Sequence, residues 1–121
     1  MGPASDERIL PPRLRIVEAV AQGLVRPDEI VHVQVEMKHP NRTGLVLRGG
    51  AFVRDSEPLY LQELEVWYGD ERVSRFTFTP ALSDDPLVGF CLRASREAPL
   101  RVRVRNNRGA RFEAEIPIRL A

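Results

Sequence analysis

The 121-residue sequence has little of the residues that build reactive sites, with one cysteine, Cys91, and two histidines, His32 and His39. One thiol cannot form an internal disulfide, so a disulfide-stapled scaffold is excluded and cysteine usage says nothing of the compartment. The two histidines have no further ligands at suitable spacing, so we expect no metal site and no cofactor. Because no serine lies in a nucleophile elbow and no glycine-rich loop opens a helix, we predict that the chain is not an enzyme.

Long apolar runs are also missing. No segment approaches the roughly 20 apolar residues that span a bilayer, so we predict no membrane partner. The first residues lack the apolar stretch of a secretory signal, which fits a cytoplasmic protein, a processed one, or one exported together with another protein. The net charge of +1 gives no general attraction for nucleic acid, so none is expected as a partner.

Alternation of apolar and polar residues is the strongest pattern that is present. Between Glu29 and Lys38 every second residue is apolar, from Val31 to Met37. Side chains of a strand point to opposite faces in turn, so this pattern indicates a half-buried antiparallel strand. Similar segments recur with turn residues at intervals of about ten residues, and no segment has a sustained helical period. The sequence therefore predicts an all-β protein, an immunoglobulin-like antiparallel β-sandwich of about seven strands.

The chain divides into two parts. Residues 1–12 have three prolines and no periodicity, and we expect a flexible lead-in, whereas residues 13–121 form the sandwich domain. The first predicted strand runs from Leu14 to about Val20. The segment from Gly44 to Pro58 is predicted to be an irregular loop, and loops of this length are often functional or mobile. The last hairpin has arginines and two glutamates at alternating positions on one face, which predicts cross-strand pairs worth about 0.2–1 kcal/mol each.

Two side chains on the strands have open roles. If Phe90 faces the core, Cys91 faces away from it, and in sequence only Arg93 is a nearby cation on the same face. Because a strand supplies no helix dipole to activate a thiol, we favour a passive Cys91, with redox pairing to another chain as the alternative. Trp67 faces outward from its strand, so it is either covered by a loop or anchors a partner.

Three motifs in order, at matching spacing, resemble the SoxZ family. They are His39-Pro40-Asn41-Arg42-Thr43-Gly44 after a strand, Gly69-Asp70-Glu71-Arg72-Val73 in a hairpin, and Pro80-Ala81-Leu82-Ser83-Asp84-Asp85-Pro86-Leu87 before Phe90. The resemblance covers residues 13–121. The sequence departs from the family pattern at Asp85, where asparagine is usual. It departs again at Leu45 to Leu59, which replaces a charged Gly-Lys-Leu-Ile-Pro-type loop.

The resemblance implies the non-catalytic subunit of a SoxYZ-type sulfur carrier. Such a subunit forms a heterodimer with SoxY, whose tail cysteine holds sulfur intermediates during thiosulfate oxidation. It meets other sulfur-oxidation enzymes transiently, in the periplasm, after export together with its signal-bearing partner. By motif position, and for Trp67 by its outward direction, the predicted partner-binding residues are His39, Pro40, Asn41, Thr43, Gly44, Trp67, Asp85 and Pro86. The alternative is a stand-alone immunoglobulin-like module that binds protein or carbohydrate, which an outward aromatic platform would favour.

Overall fold

The computed structural model describes residues 9–19, 24–80 and 82–121, and in them the chain forms ten strands and no helix. The all-β prediction is confirmed, with ten strands rather than seven. Within these residues there is accordingly no helix that could cross a membrane. The strands are β1 (Leu10–Ile16), β2 (Leu24–Val25), β3 (Ile30–Lys38), β4 (Leu45–Arg48), β5 (Ala51–Arg54), β6 (Leu61–Tyr68), β7 (Glu71–Thr77), β8 (Leu87–Arg93), β9 (Ala98–Asn106) and β10 (Arg111–Leu120).

Two sheets face each other across one core. The first has the order β1-β3-β8, the second has the order β2-β10-β9-β6-β7, and β4 and β5 pair only with one another. All pairings are antiparallel except that of β2 with β10. This arrangement confirms the predicted sandwich, since each sheet buries one face and leaves the other to solvent.

The period of two explains how the core is filled. The inward residues of β3, Val31, Val33 and Val35, are at most 1% exposed, and those of β9 are equally buried. Burying such a side chain completely contributes about 1.5–3 kcal/mol. On the opposite face of β9 arginines alternate with these residues, and they lie on the outer side of the five-stranded sheet. The alternation in the sequence therefore sets which face of each sheet is apolar.

The start of the domain differs from the prediction. Leu10 to Pro12 belong to β1, with Leu10 opposite Lys38 and an irregularity in the register before Arg13. Prolines are tolerated here because β1 is an edge strand and the register is interrupted. Residues 1–8 of the predicted lead-in, and Val20 of the predicted first strand, lie outside the described residues.

The segment from Gly44 to Pro58 is not irregular, and that prediction was wrong. It contains the hairpin of β4 and β5, which turns at Gly49 and Gly50 with φ of +57° and +80°. Glycine adopts these backbone angles without the steric strain of a Cβ atom. Two glycines between short apolar runs are a hairpin signal, which the long-loop interpretation overlooked.

Candidate partner-binding surface

His39 anchors the loop that follows β3. Its side chain is buried, its Nδ1 lies 2.6 Å from the carbonyl oxygen of Pro40, and its Nε2 lies 3.2 Å from Asn106 Nδ2. The side-chain oxygen of Asn106 accepts the backbone N–H groups of Arg108 and Ala110, which fixes the amide with its NH₂ group toward the ring. With the amide in this orientation the imidazole accepts at Nε2 and donates at Nδ1, so the His39 side chain holds the loop in place.

Hydrogen bonds join this loop to the loop before β8. The Asp85 carboxylate accepts the His39 backbone N–H at 2.9 Å, and the Asp85 N–H donates to the His39 carbonyl at 3.0 Å. The Asp84 carboxylate accepts the Asn41 N–H at 2.6 Å, and the Asn41 side chain donates to the Ser83 carbonyl. The structure thus brings together two motifs that lie more than forty residues apart.

Gly44 closes the base of the β4–β5 hairpin. Its φ is +80°, and a Cβ atom there would lie 2.0 Å from the carbonyl oxygen of Ser56. The Gly44 carbonyl accepts the N–H groups of Asp55 and Ser56 at 2.7 and 3.2 Å. Only a residue without a side chain fits this close approach of two backbone segments. The hairpin consequently leaves the sandwich from a rigid base.

The hairpin itself is apolar and uncovered. Leu47 and Phe52 lie directly opposite one another and are 63% and 74% exposed, and Leu45 and Val53 are also exposed. Within the described chain, β4 and β5 pack extensively only against each other. A two-stranded hairpin alone is marginally stable in water, and clustered exposed apolar side chains mark interaction sites. Leu45, Leu47 and Phe52 share one face of the hairpin, with Val53 on the other, and we call these three residues the hairpin surface.

A groove runs beside the hairpin surface. This cavity has a volume of about 400 Å³ and is lined by residues 41–46 together with Ser56, Pro80 and Leu82. The groove joins the predicted loop to the hairpin without a break. A partner that covered the hairpin surface would therefore also reach Thr43, which is exposed.

Most of the predicted partner-binding residues lie beneath this surface. His39, Pro40, Gly44 and Pro86 are buried, and Asn41 and Asp85 are half-buried. Their hydrogen bonds hold the loop and the hairpin in place, whereas Thr43 is open to a partner. The apolar hairpin residues were missed by the sequence analysis, although the Gly-Gly turn between them was a usable signal.

Trp67 lies apart from the other predicted residues. The near end of β6 touches the loop, since the Leu61 N–H donates to the Asn41 side chain at 2.8 Å. Trp67 is six residues further along β6, roughly 20 Å away at the usual strand rise. The Arg101 guanidinium lies 5.7 Å from the centre of its ring, and the N–H of this half-buried residue is itself buried with no hydrogen-bond partner among the described residues. The Arg101 side chain thus lies over the ring of Trp67, which stays half-buried.

Cys91 and His32 lie on the outer face of the three-stranded sheet. Cys91 is exposed on the edge strand β8, directly opposite His32. His32 Nδ1 lies 2.5 Å from a Glu18 carboxylate oxygen, and the His32 N–H donates to the other oxygen at 2.7 Å. These hydrogen bonds, the backbone one first, hold the pKa of Glu18 below its ordinary value. No three His, Cys, Asp or Glu side chains in the described ranges lie close enough to bind a metal together.

Comparison with known proteins gives a family and a fold. The family model described as "Sulphur oxidation protein SoxZ" matches residues 20–117, which is most of the chain. Among the curated proteins none matches the sequence.

Solved structures with the same fold include superoxide reductases and a sulfur carrier. The superoxide reductase (neelaredoxin) from Ignicoccus hospitalis is 19% identical with a TM-score of 0.69, over 99% of this chain and 89% of that chain. A putative superoxide reductase from Thermotoga maritima is 18% identical with a TM-score of 0.65, over 91% and 85%. The sulfur carrier protein SoxY from Chlorobium limicola f thiosulfatophilum is 14% identical with a TM-score of 0.59, over 89% and 73%. At these identities the likeness shows a shared fold alone.

Proposed function

The chain belongs to the SoxZ family, and we propose that it is the non-catalytic subunit of a SoxYZ-type sulfur carrier, paired with a SoxY-like protein. In this proposal the partner's tail cysteine holds the sulfur intermediates of thiosulfate oxidation. The present chain supplies the rigid β-sandwich beside that tail. Family membership supports the pathway, and the uncovered hairpin surface supports the existence of a partner.

The hairpin surface is the observation that carries the pairing. Its three apolar side chains project from a base that is pinned at Gly44, so little ordering is needed when a partner binds. Charged residues around it, such as Arg48 and Asp55, which form an ion pair at 2.7 Å, would make a polar rim. The hairpin and the adjoining groove would form the centre of a heterodimer interface that buries more than about 1,200 Å² in total.

The sulfur itself belongs on the partner. A carrier thiol must enter the active sites of other enzymes, so it needs a mobile segment. Cys91 instead lies within β8, whose whole length is paired with β3. We further propose that the pair works in the periplasm and meets other sulfur-oxidation enzymes only transiently, which cell fractionation and cross-linking would test.

Co-expression with a SoxY-like protein that carries a cysteine in its glycine-rich tail tests the proposal. Size-exclusion chromatography should show a one-to-one heterodimer, and mass spectrometry after thiosulfate turnover should find sulfur adducts on the partner's cysteine. A chain that stays monomeric in the mixture, or adducts found only on Cys91, would contradict it. The binding-module alternative is the weaker proposal, because the outward ring of Trp67 is half-buried with the Arg101 guanidinium over it.

A further inference from the structure

Two arginines face each other across the last hairpin. Arg105 of β9 and Arg111 of β10 are directly opposite, whereas the next outward pair on the same two strands joins Arg103 to Glu113. Side chains in such positions have Cβ atoms about 5 Å apart, and like charges directly opposite destabilise a sheet. Alternating charges on this hairpin predict pairs of opposite sign, so the Arg105–Arg111 pair needs a separate explanation.

Neighbouring carboxylates do not neutralise this pair. Arg105 lies 4.0 Å from Glu63, but that carboxylate already binds Arg75 at 2.8 Å. The Arg111 side chain forms no hydrogen bond or ion pair with any residue that the structure describes. The result is one free guanidinium beside another that shares its only carboxylate.

The surplus of positive charge is local. Around the pair, Arg72 binds Glu65 at 3.1 Å and Arg103 binds Glu113 at 3.1 Å. Together with Glu63, which binds Arg75, each of these three glutamates has one arginine. Arg105 and Arg111 are the two neighbouring cations that remain without a carboxylate of their own. A cavity of about 140 Å³ lies here, lined by Arg103, Arg105, Arg111, Glu63 and Glu65.

We propose that this cavity binds a tetrahedral oxyanion, such as sulfate or thiosulfate, between Arg105 and Arg111. Guanidinium groups donate two parallel hydrogen bonds to an oxyanion, and a bound dianion would turn the repulsion between the two side chains into a bridge. Free sulfate or thiosulfate and the sulfonate end of a sulfur adduct on the partner's cysteine share this chemistry. The second source rests on the proposed function, whereas the first does not.

Isothermal titration of the isolated chain with millimolar sulfate or thiosulfate, at constant ionic strength, tests the site. Removing one charged donor weakens a charge-assisted contact enough to lower the affinity about tenfold or more, so Arg111→Gln should lose most of the binding. Arg119→Gln removes the same charge from an exposed position of the same strand, outside the cavity, and should bind like the wild type. Equal affinities of the two variants, or no binding by the wild type, would overturn the proposal.

Arg111→Glu gives a second, independent measurement. A glutamate opposite Arg105 would take the place of the anion, so the variant without sulfate should melt up to a few degrees higher than the wild type and no longer respond to sulfate. A variant that is no more stable and still responds to millimolar sulfate would contradict the site.

A binding experiment with the partner distinguishes the two sources of the oxyanion. If a SoxY-like protein carrying a sulfonated cysteine binds the wild type more tightly than the unmodified protein does, and Arg111→Gln removes this difference, the tethered sulfonate occupies the site. Equal binding of both forms assigns the site to the free anion. If the two proteins do not form a complex at all, the proposed function is wrong. The titration of the isolated chain still tests the oxyanion site in that case.

Discussion

Replacing Leu47 and Phe52 together with serine should abolish tight pairing with the SoxY-like partner. The two side chains are 63% and 74% exposed in the free chain, and full burial of a leucine or phenylalanine is worth about 1.5–3 kcal/mol. Burial of the exposed part therefore contributes about 1–2 kcal/mol for each residue. The double variant should lose about 2–4 kcal/mol of binding free energy, which raises Kd roughly 30- to 1,000-fold.

This double substitution should change the stability of the fold very little. Because both side chains lie in solvent in the free chain, the free energy of unfolding should change by no more than about 0.5 kcal/mol for each residue. Titration calorimetry with the partner measures the binding, and urea denaturation measures the stability. Ile30→Ser is the matched control, since Ile30 is 46% exposed at the other end of β3. Wild-type affinity in the double variant, or an equal loss in the control, would refute the assignment of the interface.

Three further outcomes are expected. Gly44→Ala should lower the free energy of unfolding by about 1–3 kcal/mol in urea denaturation and weaken pairing, because its Cβ would meet a backbone oxygen at 2.0 Å. Gly50→Ala is the control, since Gly50 also has a φ of +80° but open space around it, and the smaller loss expected there isolates the effect of the clash. Cys91→Ser should leave sulfur oxidation by the assembled carrier largely intact, and a loss of activity without loss of assembly would give Cys91 a chemical role. Hydrogen bonds from His32 lower the pKa of Glu18 from its ordinary value of 4.5, so ionised Glu18 stabilises the fold above that pH, and this contribution is lost as the pH falls through the lower pKa of the folded state. Glu18→Gln should therefore flatten acid unfolding below about pH 4, which circular dichroism measures, and an unchanged acid transition would argue against the bond.

The sheets could be predicted because they are half-buried. A strand with one face in the core must alternate, and β3, β9 and β10 do so over most of their length. The β4–β5 hairpin has neither face in the core, so its residues Leu45 to Leu47 follow one another without alternation. Alternation of apolar and polar residues therefore indicates a half-buried strand and does not detect an exposed one. An exposed hairpin must be recognised from its turn residues.

The sequence could not predict which residues lie opposite one another on paired strands. Which residue lies opposite Cys91 depends on the pairing of β3 with β8, two strands that are distant in the chain. The position of Arg105 opposite Arg111 depends on how many residues the turn between β9 and β10 contains. A shift by one residue would have moved each side chain to the other face, so composition alone could not decide these contacts.

The motifs that resemble the SoxZ family identified the buried loop residues beneath the hairpin surface, but not the exposed residues of that surface. The residues shared with the SoxZ pattern, such as His39 and Gly44, are buried and shape the backbone. The exposed hairpin residues fall in the segment from Leu45 to Leu59, where the sequence departs from the family's charged loop. If that loop faces the partner in both cases, apolar side chains such as Leu47 and Phe52 need an apolar recess, whereas a charged loop needs counter-charges. Partner choice in this family would then reside in the hairpin, while the buried loop motifs keep it in position.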